Sequence, residues 1–211
     1  MPEARTYASA RQGLRTRIAD RLSRRSRTRR ADLFRTLIAP RPGERALDVG
    51  CGAGGLAASD PRLDVTGVDR EAQPNYPGRR FLQADATRLP FRDGEFDIAY
   101  SNSVIEHLPP AERDAYAREL RRVARRWFVQ TPNRGFPVEP HALLPLVHWL
   151  PARLGRALWR LGVSGDPYDG VELLGARELR ALFPDSVIVR ERAGPLTKSL
   201  VAAGPVARIE R

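Results

Sequence analysis

The chain has 211 residues, 42% hydrophobic and 29% charged, with a formal net charge of +11. That length and balance suit one domain with its own core and exclude wholesale disorder. A single cysteine, Cys51, excludes a disulfide framework and a cysteine-rich zinc site, and no apolar run reaches the roughly 18 residues needed to cross a bilayer. The charge is unevenly placed. Residues 1–41 hold 12 arginines against Glu3, Asp20 and Asp32, whereas the remainder has 24 basic and 22 acidic residues. A basic arm over 1–30, helical or partly disordered, is therefore expected to precede a nearly neutral domain over 31–211. The first residues carry no apolar leader, so a cytoplasmic location is expected.

Within the domain, Leu33, Phe34, Leu37 and Ile38 share one helical face, and Pro40, Pro42 and Gly43 stop that helix. Strands are predicted over 45–49, 63–68, 80–84, 96–101 and 127–131, with a helix over 111–125. A second helix over 176–183 precedes two strands, 186–192 and 196–202, joined as a hairpin at Gly194-Pro195. Strand–helix alternation predicts an α/β fold: a doubly wound, mostly parallel seven-stranded sheet with an antiparallel strand from the terminal hairpin.

The first strand runs into ALDVGCGAGG, where Gly50, Gly52 and Gly54 permit a tight turn and close approach of a ligand to the backbone. Three glycines alone are weak evidence. Three carboxylates strengthen them: Asp48 before the loop, Asp69 ending the second strand in VTGVD, and Asp85 ending the third in FLQADATRLPF. Open α/β sheets bind ligands at the carboxyl ends of their strands. A carboxylate at Asp69 can accept from both hydroxyls of a ribose, and one at Asp85 from an adenine amino group. An anion beside the loop suits a ligand with an ammonium and a sulfonium better than one with a pyrophosphate.

On LDVGCGAGG, VTGVD, FLQADATRLPF and FDIAYSNSVIEHL, residues 44–108 resemble a class I S-adenosylmethionine-dependent methyltransferase of the broad bacterial small-molecule type. The resemblance, with the strand–helix layout, extends over about 31–203 and implies a Rossmann-like transferase. It implies that Asp48 orients the methionine part and that Gly50, Cys51, Gly52 and Gly54 shape the loop. It further implies that Asp69, with Arg70 beside it, holds the ribose. Asp85 and the backbone of Ala86 would read adenine, and Asn102 and Ser103 would close over the methionine end. Cys51 as a nucleophile is the alternative, but no basic partner is fixed beside it. REAQPNYPG after Asp69 carries two prolines where the family usually has a helix, and GLAASDPR allows only a short first helix.

The acceptor side is expected after the fourth and fifth strands. Glu106 and His107 in SVIEHL resemble the Glu-His of ubiquinone-pathway O-methyltransferases and small-RNA 2′-O-methyltransferases. Some of those use a metal-ligating Glu three residues earlier; here that position is Ser103, and no metal is expected. His107 is a candidate base, with a structural role for both residues as the alternative. Asn133, Glu139 and His141, in the Pro-rich stretch after the fifth strand, are candidates to face the acceptor, with plain turn chemistry as the alternative.

Residues 133–175 form an insertion in which Leu143, Val147, Leu150, Leu154, Leu158 and Leu161 recur at steps of three and four. It reads as a cap over the substrate, as core packing, or as a peripheral membrane contact through 141–162 at the inner membrane face. Tyr168 and Asp169 are lid candidates. The expected function is methyl transfer from S-adenosylmethionine by in-line displacement to a small or lipid- or glycan-linked acceptor, at oxygen. The alternatives are an RNA methyltransferase gripping phosphate with the arginine arm and a non-catalytic nucleotide-binding protein.

Overall fold

The structure is a computed structural model and describes residues 14–162 and 167–205. Its centre is a seven-stranded sheet in the order β3-β2-β1-β4-β5-β9-β8. The strands are β1 (Arg45–Val49), β2 (Asp64–Asp69), β3 (Arg80–Gln83), β4 (Phe96–Asn102), β5 (Ala124–Pro132), β8 (Val187–Ala193) and β9 (Leu196–Gly204). β1 to β5 are mutually parallel, and β9 runs antiparallel to both β5 and β8. The sheet is the one expected from the strand–helix alternation, with the hairpin entering so that its second strand is interior and its first is the edge. It has the open, doubly wound Rossmann-like arrangement.

Side chains along β1 alternate between two apolar layers, as a strand requires. Leu47 and Val49 pack with Tyr116, Leu120 and Val123 of α3 (Pro110–Val123) and with Leu179 of α5 (Ala176–Leu182). Ala46 faces the other way, toward Phe34 and Ile38 of α1 (Leu14–Ile38) and Leu56 of α2 (Gly55–Ser59). Phe34 meets Tyr100 and Phe128 edge-on at 5.4 and 5.5 Å, while those two rings stack on each other. Burying Phe34 there stabilises the docked helix by about 1.5–3 kcal/mol.

α1 differs from the expectation. The helix predicted over 31–39 extends back without a break to Leu14, so the arm and the domain share one helix. Its second half is tied to the hairpin: Lys198 Nζ donates to Ser26 Oγ at 2.8 Å, and Arg30 lies 3.7 Å from Glu191. It ends where Ala39 turns to φ +48 ahead of Pro40. Residues 1–13 of the arm lie outside the described residues.

The insertion also departs from its periodicity. It contains a two-residue strand pair, β6 (Val138–Glu139) with β7 (Leu144–Pro145), a 3₁₀ turn over Val147–Trp149, then α4 (Ala152–Trp159) and a second 3₁₀ turn over Tyr168–Gly170. Pro145 and Pro151 break the leucine stripe, and Leu143 and Leu146 take left-handed φ of 55° and 60°. Of the six striped positions, Val147 is buried while Leu154 and Leu161 are 49% and 72% exposed. Core packing therefore does not describe this stripe. No helix among the described residues is long and apolar enough to cross a membrane.

Candidate active site

The chain goes outward from β1 through β2 to β3 and returns to the other side of β1 as β4, so strand order reverses between β1 and β4. The loops after these two strands bound the crevice such a reversal opens. Gly50 and Cys51 donate their amides to Val68 O at 2.8 and 3.2 Å, pinning the glycine loop to β2. Gly50 has φ +69, and a Cβ there would sit 2.2 Å from Val104 Cγ2. Only glycine lets the loop after β1 lie against the loop after β4.

Asp48 lies beneath this loop, 2% exposed. Its Oδ2 accepts from the Leu56 amide at 2.6 Å and from the Tyr76 hydroxyl at 3.2 Å. Burial pushes its carboxyl up to about 7; the two donors oppose that rise and the nearby Asp69 charge adds to it. A cation brought close would restore the ionised form. Gly55, at φ +41, is the residue that clears Asp48: a Cβ would stand 2.0 Å from Oδ2. Asp69 Oδ2 accepts from the Gly52 amide at 2.9 Å and Oδ1 from the Glu71 amide at 3.0 Å. Each oxygen keeps a second lone pair for a ligand hydroxyl. Gly52 faces open space, and Gly54 precedes α2.

Asp85 is satisfied internally. Oδ1 accepts from the Thr87 amide and hydroxyl at 2.8 and 2.7 Å, and Oδ2 from Arg70 at 2.9 Å. Those hydrogen bonds, the Thr87 amide first, hold its carboxyl down at about 2. Arg70 thus bridges the ends of β2 and β3, and Ala86 follows half-buried. No helix forms over 70–79, as its prolines require; instead Tyr76 tucks beneath Gly67, where a Cβ would meet the ring at 2.6 Å. Cys51 is buried, and desolvation together with the Asp48 and Asp69 charges pushes its thiol up, which disfavours the thiolate a nucleophile needs. At the end of β4, Asn102 Oδ1 is buried with no hydrogen-bond partner among the described residues. Ser103 takes φ +56 and donates its amide to Gln130 O.

Beside this stands a second group. Glu106 is 1% exposed and its Oε2 accepts from the Thr131 hydroxyl at 2.9 Å, joining the ends of β4 and β5. His107 Nδ1 faces Gly170 O at 3.2 Å, and His141 Nδ1 faces Glu139 Oε1 at 2.7 Å. The two imidazoles meet edge to face, 5.0 Å between centroids. The insertion thereby brings His141 to the Glu106–His107 loop, across 34 residues of chain. Arg113, buried in α3, locks this junction by donating to Leu108 O and Glu172 O at 3.1 and 2.7 Å. Asn133 points elsewhere, donating to Thr197 O, and Asp169 pairs with Arg156. A cleft of about 560 Å³ lies at the opposite end of the sheet, where Arg45–Glu95 and Arg125–Asp97 pair.

Residues 47–126 match the methyltransferase domain family. That segment is a methyltransferase domain by this match, set in a sheet with the fold of class I S-adenosylmethionine-dependent methyltransferases. Over 96 residues it is 38% identical to a demethylmenaquinone methyltransferase of Beutenbergia cavernae, covering 42% of this chain and 39% of that one. It is 35% identical over 96 residues to a 2-methyl-6-phytyl-1,4-hydroquinone methyltransferase of Synechocystis, 40% of this chain and 30% of the relative. The chain thus spans well under half the length of these relatives. Its fold is shared with a magnesium protoporphyrin IX methyltransferase of Synechocystis solved with bound SAH, at TM-score 0.58 and 15% identity over 94% of this chain and 90% of that one.

Some residues of the methyltransferase domain's site escape sequence reasoning. Gly55 is one more glycine in a run already rich in them, and only its contact with Asp48 marks it. Tyr76 lies in a segment with no periodic signal, and only the hydrogen bond from its hydroxyl to Asp48 marks it.

Proposed function

We propose that this protein transfers a methyl group from S-adenosylmethionine to an oxygen of a small acceptor or of a lipid- or glycan-linked one. The observation that carries this is a juxtaposition. The Asp48 and Asp69 carboxylates flank the glycine loop, Asp85 follows β3, and Glu106, His107 and His141 stand at the adjoining ends of β4 and β5. When bound, S-adenosylmethionine supplies a methyl group on a sulfonium, a good leaving group open to in-line attack.

The chain's residues fit that cofactor by charge and by unmet valence. A nearby ammonium would favour the ionised form of Asp48, and an ammonium donor would meet the unpartnered Asn102 Oδ1. Asp69 keeps lone pairs for ribose hydroxyls. Asp85, with Arg70 and the Ala86 backbone, borders the adenine end. On the acceptor side, Gly170 O and Glu139 Oε1 are acceptors, so each facing Nδ1 carries the proton and each Nε2 a lone pair. Those lone pairs can take the proton of an acceptor hydroxyl, and holding it in line supplies most of the remaining acceleration.

Calorimetric titration of the full chain with SAH tests the cofactor, and labelled methyl transfer onto polar, lipid, glycan and RNA fractions tests the acceptor. SAH binding with label in the polar, lipid or glycan fraction is the expected result. Tight NAD binding without SAH binding, or label confined to RNA, overturns it.

A further inference from the structure

The Glu106–His107–His141 group has the composition of a metal centre. One ligand atom from each of the three residues lies within 4.8 Å of the others. We propose that these three side chains bind a divalent first-row transition cation. The absence of a Glu at Ser103 weighs against metal only if the loop after β4 supplies every ligand. Here the insertion supplies His141.

Four observations support the site. Glu106 is 1% exposed, and its Oε1 has no hydrogen-bond partner among the described residues. A buried carboxylate oxygen left in that state is costly unless a cation or donor meets it. Its Oε2 is fixed by Thr131, which aims the carboxylate. Both imidazoles are oriented through Nδ1, one by a backbone carbonyl and one by a carboxylate. Metal-binding histidines are oriented by partners of this kind. Finally, Glu139 is itself 1% exposed and held by the Ala142 amide at 2.6 Å, so the orienting partner is rigid.

Two imidazoles and one carboxylate suit zinc, cobalt, manganese or iron and disfavour calcium and magnesium, which take oxygen ligands. Tetrahedral ligands about 2.0–2.1 Å from zinc stand roughly 3.4 Å apart, so closure requires side-chain movements of about 1 Å. Three protein ligands leave a position open. The ion's use in methyl transfer rests on the function proposed above. An acceptor hydroxyl in the open position would release its proton to solvent water because the ion lowers its pKa, and the histidines would then act as ligands, not bases.

The test uses tag-free, metal-stripped full-length protein, which contains only three histidines. Zn²⁺ is titrated by calorimetry and Co²⁺ by its visible d–d absorption. One equivalent should bind with Co²⁺ bands of nitrogen and oxygen coordination. The double variant His107→Ala/His141→Ala should lose binding by roughly 100-fold or more, and Glu139→Gln by about 10–100-fold. His148→Ala should match the parent. SAH affinity, measured on each variant, should persist and thereby report an intact fold. No stoichiometric binding by the parent, or undiminished binding by the double variant, overturns the proposal. Metal binding without SAH binding overturns the methyltransferase assignment alone, and SAH binding without metal binding overturns the metal site alone.

Discussion

Residues 44–108 and the insertion over 133–175 each carry part of the site, by opposite means. In the first, the groups on the cofactor side stand at or just past strand ends. Asp48, Asp69 and Asn102 take their places from the pairing of β1, β2 and β4, and the glycine loop is pinned by amide bonds to Val68. In the second, His141 and Glu139 sit on a two-residue strand pair and the irregular chain beside it. Their position depends on the contact of His141 with the Glu106–His107 loop. Geometry set by a sheet is local and repeatable; geometry set by docking depends on the remote surface that is docked against.

The comparison predicts a division of effects, cofactor binding to the first region and chemistry to the junction with the second. His107→Ala should show the largest change: turnover falling about 100-fold or more with SAH affinity within about threefold. Equal losses in both would dissolve the division. Asp69→Ala removes an acceptor for the ribose and for the Gly52 amide, and SAH affinity measured calorimetrically should fall roughly 10–100-fold. Unchanged affinity would show that the end of β2 does not meet the cofactor. Gly55→Ala forces a left-handed φ on a residue whose Cβ strikes Asp48, costing about 1–3 kcal/mol in urea unfolding.

Asp48 gives a pH signature. Its folded pKa of about 7 stands above an ordinary 3.8, so the contribution to stability is full below about pH 4 and is lost as pH rises through about 7. Asp48→Asn removes that slope, and the variant's urea midpoint should vary less with pH between 5 and 8 than the parent's. Parallel profiles would show that Asp48 titrates normally. The smallest effect belongs to the insertion's surface: Leu154→Ser and Leu161→Ser should change unfolding free energy by no more than about 0.5 kcal/mol. A larger loss would mean that these leucines pack against something after all.

How much was legible follows the same line. The seven strands, their parallel run and the closing hairpin were readable because short apolar runs bounded by glycine, proline and carboxylates are local patterns. The helix before β1 was readable only in part. It is legible from Leu33 onward, and only the structure shows that it runs without a break back into the arginine-rich arm, which is expected to be helical or partly disordered. The insertion misled: leucines spaced for a helix are interrupted by Pro145 and Pro151, and a proline outweighs a periodic stripe because it removes a hydrogen bond and blocks the preceding turn.

The sequence by itself determined the doubly wound sheet, the glycine loop and which carboxylates end the strands, since each depends on residues a few positions apart. Tertiary structure alone decided that Asp48 is buried under Tyr76 and Leu56, that Arg70 covers Asp85, and that His141 meets Glu106 and His107. Those depend on where distant segments come to rest, and packing, not local pattern, sets that.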